Sequence, residues 1–191
     1  MTGTRLWSML IRAALVIAVV VPAAQTLGEK ERFTAIAVVN NARASGSGIV
    51  QIDITRWSTA AERTSLLAVL KKDGAEKLLN ALQGTKPVGI IKTPDSLGYD
   101  LHYANQTPLP DGGRRIVIAT DRPIGFWEAS HRPRTIDYPF TVIQMEIGKD
   151  GKGKGTLSYA TKIIPAGDTI VLENFGIQPV MLTEIKSESH T

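Results

Sequence analysis

The stretch Ile49-Val50-Gln51-Ile52-Asp53-Ile54-Thr55-Arg56 carries the clearest pattern in this chain. Its apolar members Val50, Ile52 and Ile54 alternate with polar residues, so apolar side chains point to one side of an extended backbone and polar side chains to the other. This alternation predicts a strand with one buried face and one wet face, as is common in antiparallel sheets.

The residues before this strand predict a partner for it. The segment Phe33–Val39 is rich in Ala and Val and predicts a first strand, and Asn40–Gly48, with Asn-Asn and Ser-Gly-Ser-Gly, predicts a turn region. The two strands are therefore expected to pair as a hairpin.

The residues after this strand change to a helical period. Thr59 and Glu62 have the spacing of a capping box, which marks the beginning of a helix. The leucines that follow recur at three- and four-residue spacing, and Gly74 and Gly84 are placed as stops. The pattern predicts two short helices, the second over Ala75–Gln83, that form a helical hairpin and dock on a sheet.

Beyond Thr85 the chain predicts only strands, because the segments are short, β-branched and separated by turn residues. Such tight reversals imply antiparallel neighbours. The predicted strands cover residues 87–92, 99–104, 114–120, 140–147, 155–164, 169–174 and 180–185. The fold class expected is therefore α+β, a predominantly antiparallel and curved sheet with a two-helix hairpin packed on one face.

The first residues predict where the protein works. Arg5 and Arg12 precede an apolar run, Ala13–Val21, and small residues follow it, which is the pattern of a signal peptide over residues 1–23. The run is about half of the ~20 apolar residues that a membrane-spanning helix needs. We therefore expect an exported protein of the bacterial periplasm or extracellular space, with no stable membrane span and one globular domain over residues 24–191.

The amino-acid composition excludes several kinds of functional site and of partner. The chain has no cysteine, which excludes disulfides, thiolate metal sites and a cysteine nucleophile. The net charge is +4, and loss of Arg5 and Arg12 with the leader reduces the 22 basic residues to 20 against 18 acidic ones, a net charge of +2. A charge so close to balance, without clustered Lys and Arg, does not predict a nucleic-acid partner.

One long irregular segment, Arg122–Pro139, is the first candidate binding site. Long loops inside a compact domain are often functional, and this one combines cations, carboxylates, an imidazole and aromatic side chains. The alternative is a proline-stiffened loop with a packed tryptophan and with Asp121 paired to an arginine. The predicted ligand-binding residues are Arg122, Trp127, Glu128, His131, Arg132 and Tyr138.

Asp100 and His102 give a second candidate, because they share one face of a predicted strand. An Asp-His pair can orient an imidazole for proton transfer, or can simply be the wet face of the strand. With His131 and Glu128 the pair would supply a hydrolytic or metal-assisted site, but no metal-binding spacing is present. The sequence therefore predicts no metal site and no cofactor.

Arg114 and Arg115 begin a strand after a Gly-Gly turn, and Arg122 follows its end. Guanidinium groups at both ends of a strand would suit an anionic ligand. The simpler expectation is that these arginines pair with Asp111, Asp121 or Glu173.

Three stretches resemble segments of exported bacterial proteins of unassigned function. They are Arg56-Trp57-Ser58-Thr59 with Glu62-Arg63, the run from Gly112 to Ile124 (GGRRIVIATDRPI), and Asp137-Tyr138-Pro139-Phe140. The resemblance implies a bacterial envelope protein and implies no activity, cofactor or catalytic residue.

The leading hypothesis is a non-enzymatic exported domain that binds a small ligand or an envelope protein through one end of its sheet. The rival is an enzyme that uses His102, His131, Glu128 and Asp100. A third hypothesis is a structural or assembly domain that pairs an edge strand with another chain, and an uncovered, charge-free edge strand would favour it.

Overall fold

The computed structural model of this protein describes residues 29–41, 44–122, 140–166, 169–174 and 178–189. It contains one helix, α1 (Ala60–Gln83), and ten strands. The strands are β1 (Glu31–Asn41), β2 (Ala44–Ile54), β3 (Gly89–Lys92), β4 (Tyr99–Leu101), β5 (Tyr103–Pro108), β6 (Arg114–Ala119), β7 (Phe140–Ile147), β8 (Lys152–Ala166), β9 (Thr169–Asn174) and β10 (Val180–Ser189).

The predicted β1–β2 hairpin is present and is longer than expected. It pairs continuously from Glu31 opposite Ile54 to Asn41 opposite Ala44. The segment Asn40–Gly48, predicted as a turn, is therefore mostly strand. The alternation in β2 holds, since Val50, Ile52 and Ile54 are all buried.

The sheet curves until its two ends meet. Its strands run in the order β4-β3-β2-β1-β10-β8-β7-β6-β5, all antiparallel, and β9 pairs with β8 off this path. The terminal strands β4 and β5 are consecutive in the chain, with only His102 between them. Because one stretch of backbone pairs first with β3 and then with β6, the sheet becomes a nearly closed barrel.

The predicted fold class, α+β with a two-helix hairpin on one face, is wrong. The part of the chain that the structure describes is mostly antiparallel sheet in a barrel-like arrangement, with the single helix α1 on its outside. Short-range patterns predicted most of the strands correctly. They do not show that the last strand along a sheet meets the first, which depends on contacts between residues far apart in the chain.

The expected helical hairpin is instead one kinked helix. Gly74 has left-handed backbone angles (φ 82°, ψ −174°) inside α1, so the interruption predicted there exists. The buried leucines Leu66, Leu70, Leu78 and Leu82 nevertheless lie four or eight residues apart. Because the leucines on both sides of Gly74 belong to one apolar cluster with residues of β7 and β8, both halves of the helix pack on the sheet.

The buried apolar side chains form two clusters. The larger one fills the inside of the barrel with the inward-facing side chains of β1–β8 and β10, including Phe33, Ile118 and Met145. The smaller one lies outside, where the leucines of α1 pack against Phe140, Val142 and Ile163 of β7 and β8. Within the described ranges, no helix is long and apolar enough to span a membrane.

Candidate functional site

Four polar side chains stand at one end of the barrel interior, and we call them the polar quartet: Glu31, Gln106, Arg114 and Ser187. Each of these residues points to the inside of the barrel, because it lies two positions from a buried apolar residue on the same strand. Glu31 precedes Phe33 in this way, and Arg114 precedes Ile116. Side chains alternate between the faces of a strand, so the same rows that fill the apolar core end in these polar groups.

Arg114 is the centre of the quartet. Its Nη1 donates to Glu31 Oε2 at 2.8 Å and to Gln106 Oε1 at 2.9 Å, while its Nη2 donates to Glu31 Oε1 and to Ser187 Oγ. The Ser187 hydroxyl also donates to Glu31 Oε1. The guanidinium carbon lies 5.8 Å from the centre of the Phe33 ring, within the range of a cation–π contact. The quartet therefore ties β1, β5, β6 and β10 together.

Burial differs sharply within the ion pair. The Glu31 side chain is 9% exposed, whereas the Arg114 side chain is 30% exposed. A buried carboxylate is costly unless it is paired and hydrogen-bonded, and Glu31 meets both conditions. Most of the solvent exposure of the ion pair therefore belongs to Arg114.

A cleft of about 820 Å³ opens beside the quartet. The β5–β6 turn, the β7–β8 turn and the segment before β1 line it, contributing Gly112, Lys149 and Glu29 among others. Gly112 has φ 81°, and the side chain of Lys149 lies against the space that a Cβ would occupy there. The positive φ favours glycine at this point of the cleft wall, whereas the Lys149 side chain is flexible and can move aside.

Trp57 also lines the cleft but is almost fully buried. Its Nε1 donates to the backbone carbonyl of Glu29 at 3.3 Å. The indole therefore anchors the segment before β1 to the barrel and offers little ring surface for stacking on a ligand.

His102 lies elsewhere, at the point where β4 passes into β5. It is buried, its Nε2 is 3.6 Å from Asp121 Oδ1, and its Nδ1 is 3.4 Å from the Thr85 hydroxyl. Asp100 is exposed on β4. The idea that Asp100 and His102 form an exposed pair is therefore wrong, because the carboxylate nearest the imidazole belongs to Asp121.

The His102 environment does not suit a nucleophile. The Thr85 hydroxyl donates to the Leu82 carbonyl at 2.7 Å, just after the end of α1. Carbonyl groups at a helix C-terminus carry partial negative charge, which would repel the oxyanion that forms in acyl transfer. We conclude that Thr85 and His102 hold the helix end against the β4–β5 junction.

The predicted loop site can be located only at its first residue. Arg122 is exposed, and its Nε lies 3.4 Å from Asp121 Oδ1, which confirms that Asp121 pairs with an arginine. Trp127, Glu128, His131, Arg132 and Tyr138 lie outside the described residues. Among the residues that are described, no three His, Asp or Glu side chains converge as metal ligands.

Arg114 and Arg115 both have partners other than those predicted. Arg114 pairs with Glu31 inside the barrel, and Arg115 pairs with Glu146 on the outside at 2.9 Å. Glu31 lies in the charged run Glu29-Lys30-Glu31-Arg32, so its sequence neighbours do not distinguish it from an exposed carboxylate. Its phase with Phe33 and Ala35 was the available signal, since a carboxylate on an apolar row must be buried with a partner.

Asp53 forms an ion pair on the outer surface that has several partners. Arg32 Nε donates to its Oδ1 at 2.6 Å, and Gln51 Nε2 donates to its Oδ2 at 2.7 Å. Partial burial opposes ionisation of this carboxyl, but the two hydrogen bonds and the charges of Arg32 and Lys92 outweigh it. The pKa of Asp53 is therefore below its usual value.

Comparison of this chain with protein-family models, with curated proteins and with solved structures gives no match. The resemblance of three stretches to exported bacterial proteins therefore stays a prediction.

Proposed function

We propose that this protein is a non-enzymatic, exported domain that binds a small polar ligand in the cleft at the polar quartet. The observation that carries the proposal is the placement of the Arg114–Glu31 pair on inward-facing rows beside an open cleft of about 820 Å³. Apolar side chains would close a barrel end at least as stably, because a buried ion pair rarely adds net stability over a packed apolar pair. A polar barrel end is therefore better explained by a polar ligand.

Charge balance in the quartet limits the kind of ligand. Glu31 neutralises Arg114, so the cleft has no large excess of either charge at its base. Gln106 keeps its side-chain NH2 as a donor, because its Oε1 accepts from Arg114, and Ser187, whose proton goes to Glu31, can add only an acceptor. These groups suit a neutral or zwitterionic molecule that carries hydroxyl, amide or carboxylate groups.

Because side chains fill the barrel interior, we place the ligand-binding site at the end of the barrel and not at its centre. Large side chains such as Phe33, Ile118 and Met145 are fully buried there. A small ligand would therefore bind at the mouth, where polar groups orient it and the walls are turns. The proposal keeps the hypothesis of binding at one end of the sheet but moves the site from the predicted segment Arg122–Pro139 to the cleft at the polar quartet.

The proposal is tested by a thermal-shift screen with amino acids, small carboxylates and monosaccharides, with divalent metals and a chelator in parallel. A compound that binds only the folded state raises the melting temperature by mass action. We expect one of these polar compounds to do so, and Gln106→Ala to reduce its affinity about tenfold, the effect of a hydrogen bond lost with its partner left unpaired.

The matched control is Gln144→Ala, which removes an exposed, outward-facing glutamine from β7. Its affinity for the same compound is expected to equal that of the wild type. Equal weakening by both substitutions, or stabilisation only by a metal, would contradict binding at the quartet.

A further inference from the structure

The β2 strand has a free edge over the seven residues from Ala44 to Val50. On one side β2 pairs with β1 along its whole length. On the other side β3 pairs only with Gln51–Ile54. No described strand pairs with the second side of Ala44–Val50, so the backbone groups on that side have no partner in the described sheet.

This edge lacks the features that usually prevent edge-to-edge association. Proteins protect exposed edges with charged residues, prolines or bulges. The seven residues Ala-Ser-Gly-Ser-Gly-Ile-Val contain neither a charge nor a proline, and their pairing with β1 has no register shift. An exposed edge without these features is a template for pairing with another strand.

Apolar side chains lie beside the edge on the outer face. Ile49 of β2 is 54% exposed, and Ile36, its direct cross-strand neighbour on β1, is 39% exposed. Ser45 and Ser47 share the outward face with Ile49, because side chains alternate along the strand. An added strand would therefore place small side chains next to an exposed isoleucine.

We propose that the β2 edge is a self-association surface that pairs antiparallel with the same edge of a second copy of this chain. The free span is self-complementary: with Ser47 opposite its own copy, Ala44 falls opposite Val50 and all seven residues pair. Because the span is uncharged, no like charges meet across the two-fold axis, and Ile49 packs over Ser45 of the second copy. A two-fold pair of this kind is the commonest symmetric assembly.

The self-association surface is separate from the cleft. Glu31 pairs with Ile54 at one end of the β1–β2 hairpin, whereas Ala44 pairs with Asn41 at the other end. The dimer therefore leaves the polar quartet open, and the two proposals succeed or fail independently.

The test is sedimentation equilibrium of the purified protein with the variant Ser47→Lys. The wild type is expected to dimerise reversibly. The substitution places two lysines directly opposite each other at the two-fold axis, where like charges destabilise a strand pair, so the dissociation constant should rise at least about tenfold. Ser47 is exposed, so its replacement leaves the core intact, as circular dichroism would verify.

The control Gln144→Lys adds the same charge at an exposed site on β7 and should dimerise like the wild type. Hydrogen exchange at low and high protein concentration should show protection gained in residues 44–50. A wild type that stays monomeric up to about 1 mM, a dimer that Ser47→Lys leaves unchanged, or protection gained only elsewhere would overturn the proposal.

Discussion

Glu31 shows how a single residue can depart from a pattern that its neighbours obey. It occupies an inward position in front of Phe33, Ala35 and Ala37, all of them buried. Its carboxylate is held there by Arg114 and Ser187, which are 83 and 156 residues away in the chain. A charge on an apolar row indicates that a partner exists, but the identity of that partner depends on which strands meet.

The ion pair of Asp53 makes stability depend on pH. The folded-state pKa of this carboxyl is below its ordinary value of 3.8, so its stabilising effect is present above that value and is lost as the pH falls through the folded-state pKa. We expect Asp53→Asn to lower the free energy of unfolding at neutral pH by about 1 kcal/mol. Urea unfolding from about pH 7 down to about pH 3 should show a shallower acid loss for the variant.

Asp100→Asn is the matched control, because Asp100 is exposed on β4, which β3 separates from the strand of Asp53. Its urea midpoint should follow the wild type over the same pH range. Parallel acid curves for the wild type and Asp53→Asn would show that this pair does not contribute to the acid sensitivity.

At the scale of the element, α1 shows which signals are local. The capping box predicted from Thr59 and Glu62 is present, with Thr59 Oγ1 accepting from the Glu62 amide at 3.1 Å and Glu62 Oε2 accepting from the Thr59 amide at 2.7 Å. Gly74 interrupts the helical angles as expected. Whether the chain then reverses or continues depends on the surface beneath it, and the sheet supplies one long apolar surface.

Gly74 and Gly84 form a natural pair for testing the kink. Gly74 has φ 82° and ψ −174°, a conformation that is almost confined to glycine and costs a residue with a Cβ about 1–3 kcal/mol, whereas Gly84 has φ −78°. We expect Gly74→Ala to lower the free energy of unfolding by about that amount, and Gly84→Ala to change it by less than about 1 kcal/mol. Urea unfolding followed by circular dichroism measures both, and equal effects would contradict a strained kink.

At the scale of the whole molecule, the junction at His102 decides the architecture. The His102 amide donates to the Ala119 carbonyl at 3.0 Å, and the Val88 amide donates to the Leu101 carbonyl at 2.7 Å. These bonds lie on either side of the place where the chain changes partner from β3 to β6. The barrel-like closure, and with it the enclosed core, depends on this short stretch.

The two apolar clusters should unfold together, because β7 and β8 belong to both. Leu70→Ala removes a buried side chain of α1 and is expected to cost about 2–4 kcal/mol, while Leu97→Ala, at a site 98% exposed, should be neutral. Tryptophan fluorescence, to which the interior Trp57 contributes, and far-UV circular dichroism should shift by the same amount for Leu70→Ala. Separate transitions for the two signals would show that the helix unfolds independently of the barrel.

Much of the fold could be predicted because strand alternation and helix caps involve residues near one another in the chain. Val50, Ile52 and Ile54 face the core as their alternation indicates, and Asp121 pairs with an arginine as expected. The site at the polar quartet could not be predicted, since its four residues come from four strands. All four side chains point to the inner face of their strands, but they can be recognised as one site only once the sheet is known to close into a barrel.

The sequence by itself determined where most strands lie, where the helix begins and which faces are apolar, because side-chain periodicity and capping act over a few residues. Only the tertiary structure decided that α1 continues past Gly74, that β4 and β5 join the two ends of the sheet, and that Glu31 meets Arg114. Those outcomes depend on strand register and on which surfaces are available for burial. Both are properties of contacts between distant segments, which no local pattern encodes.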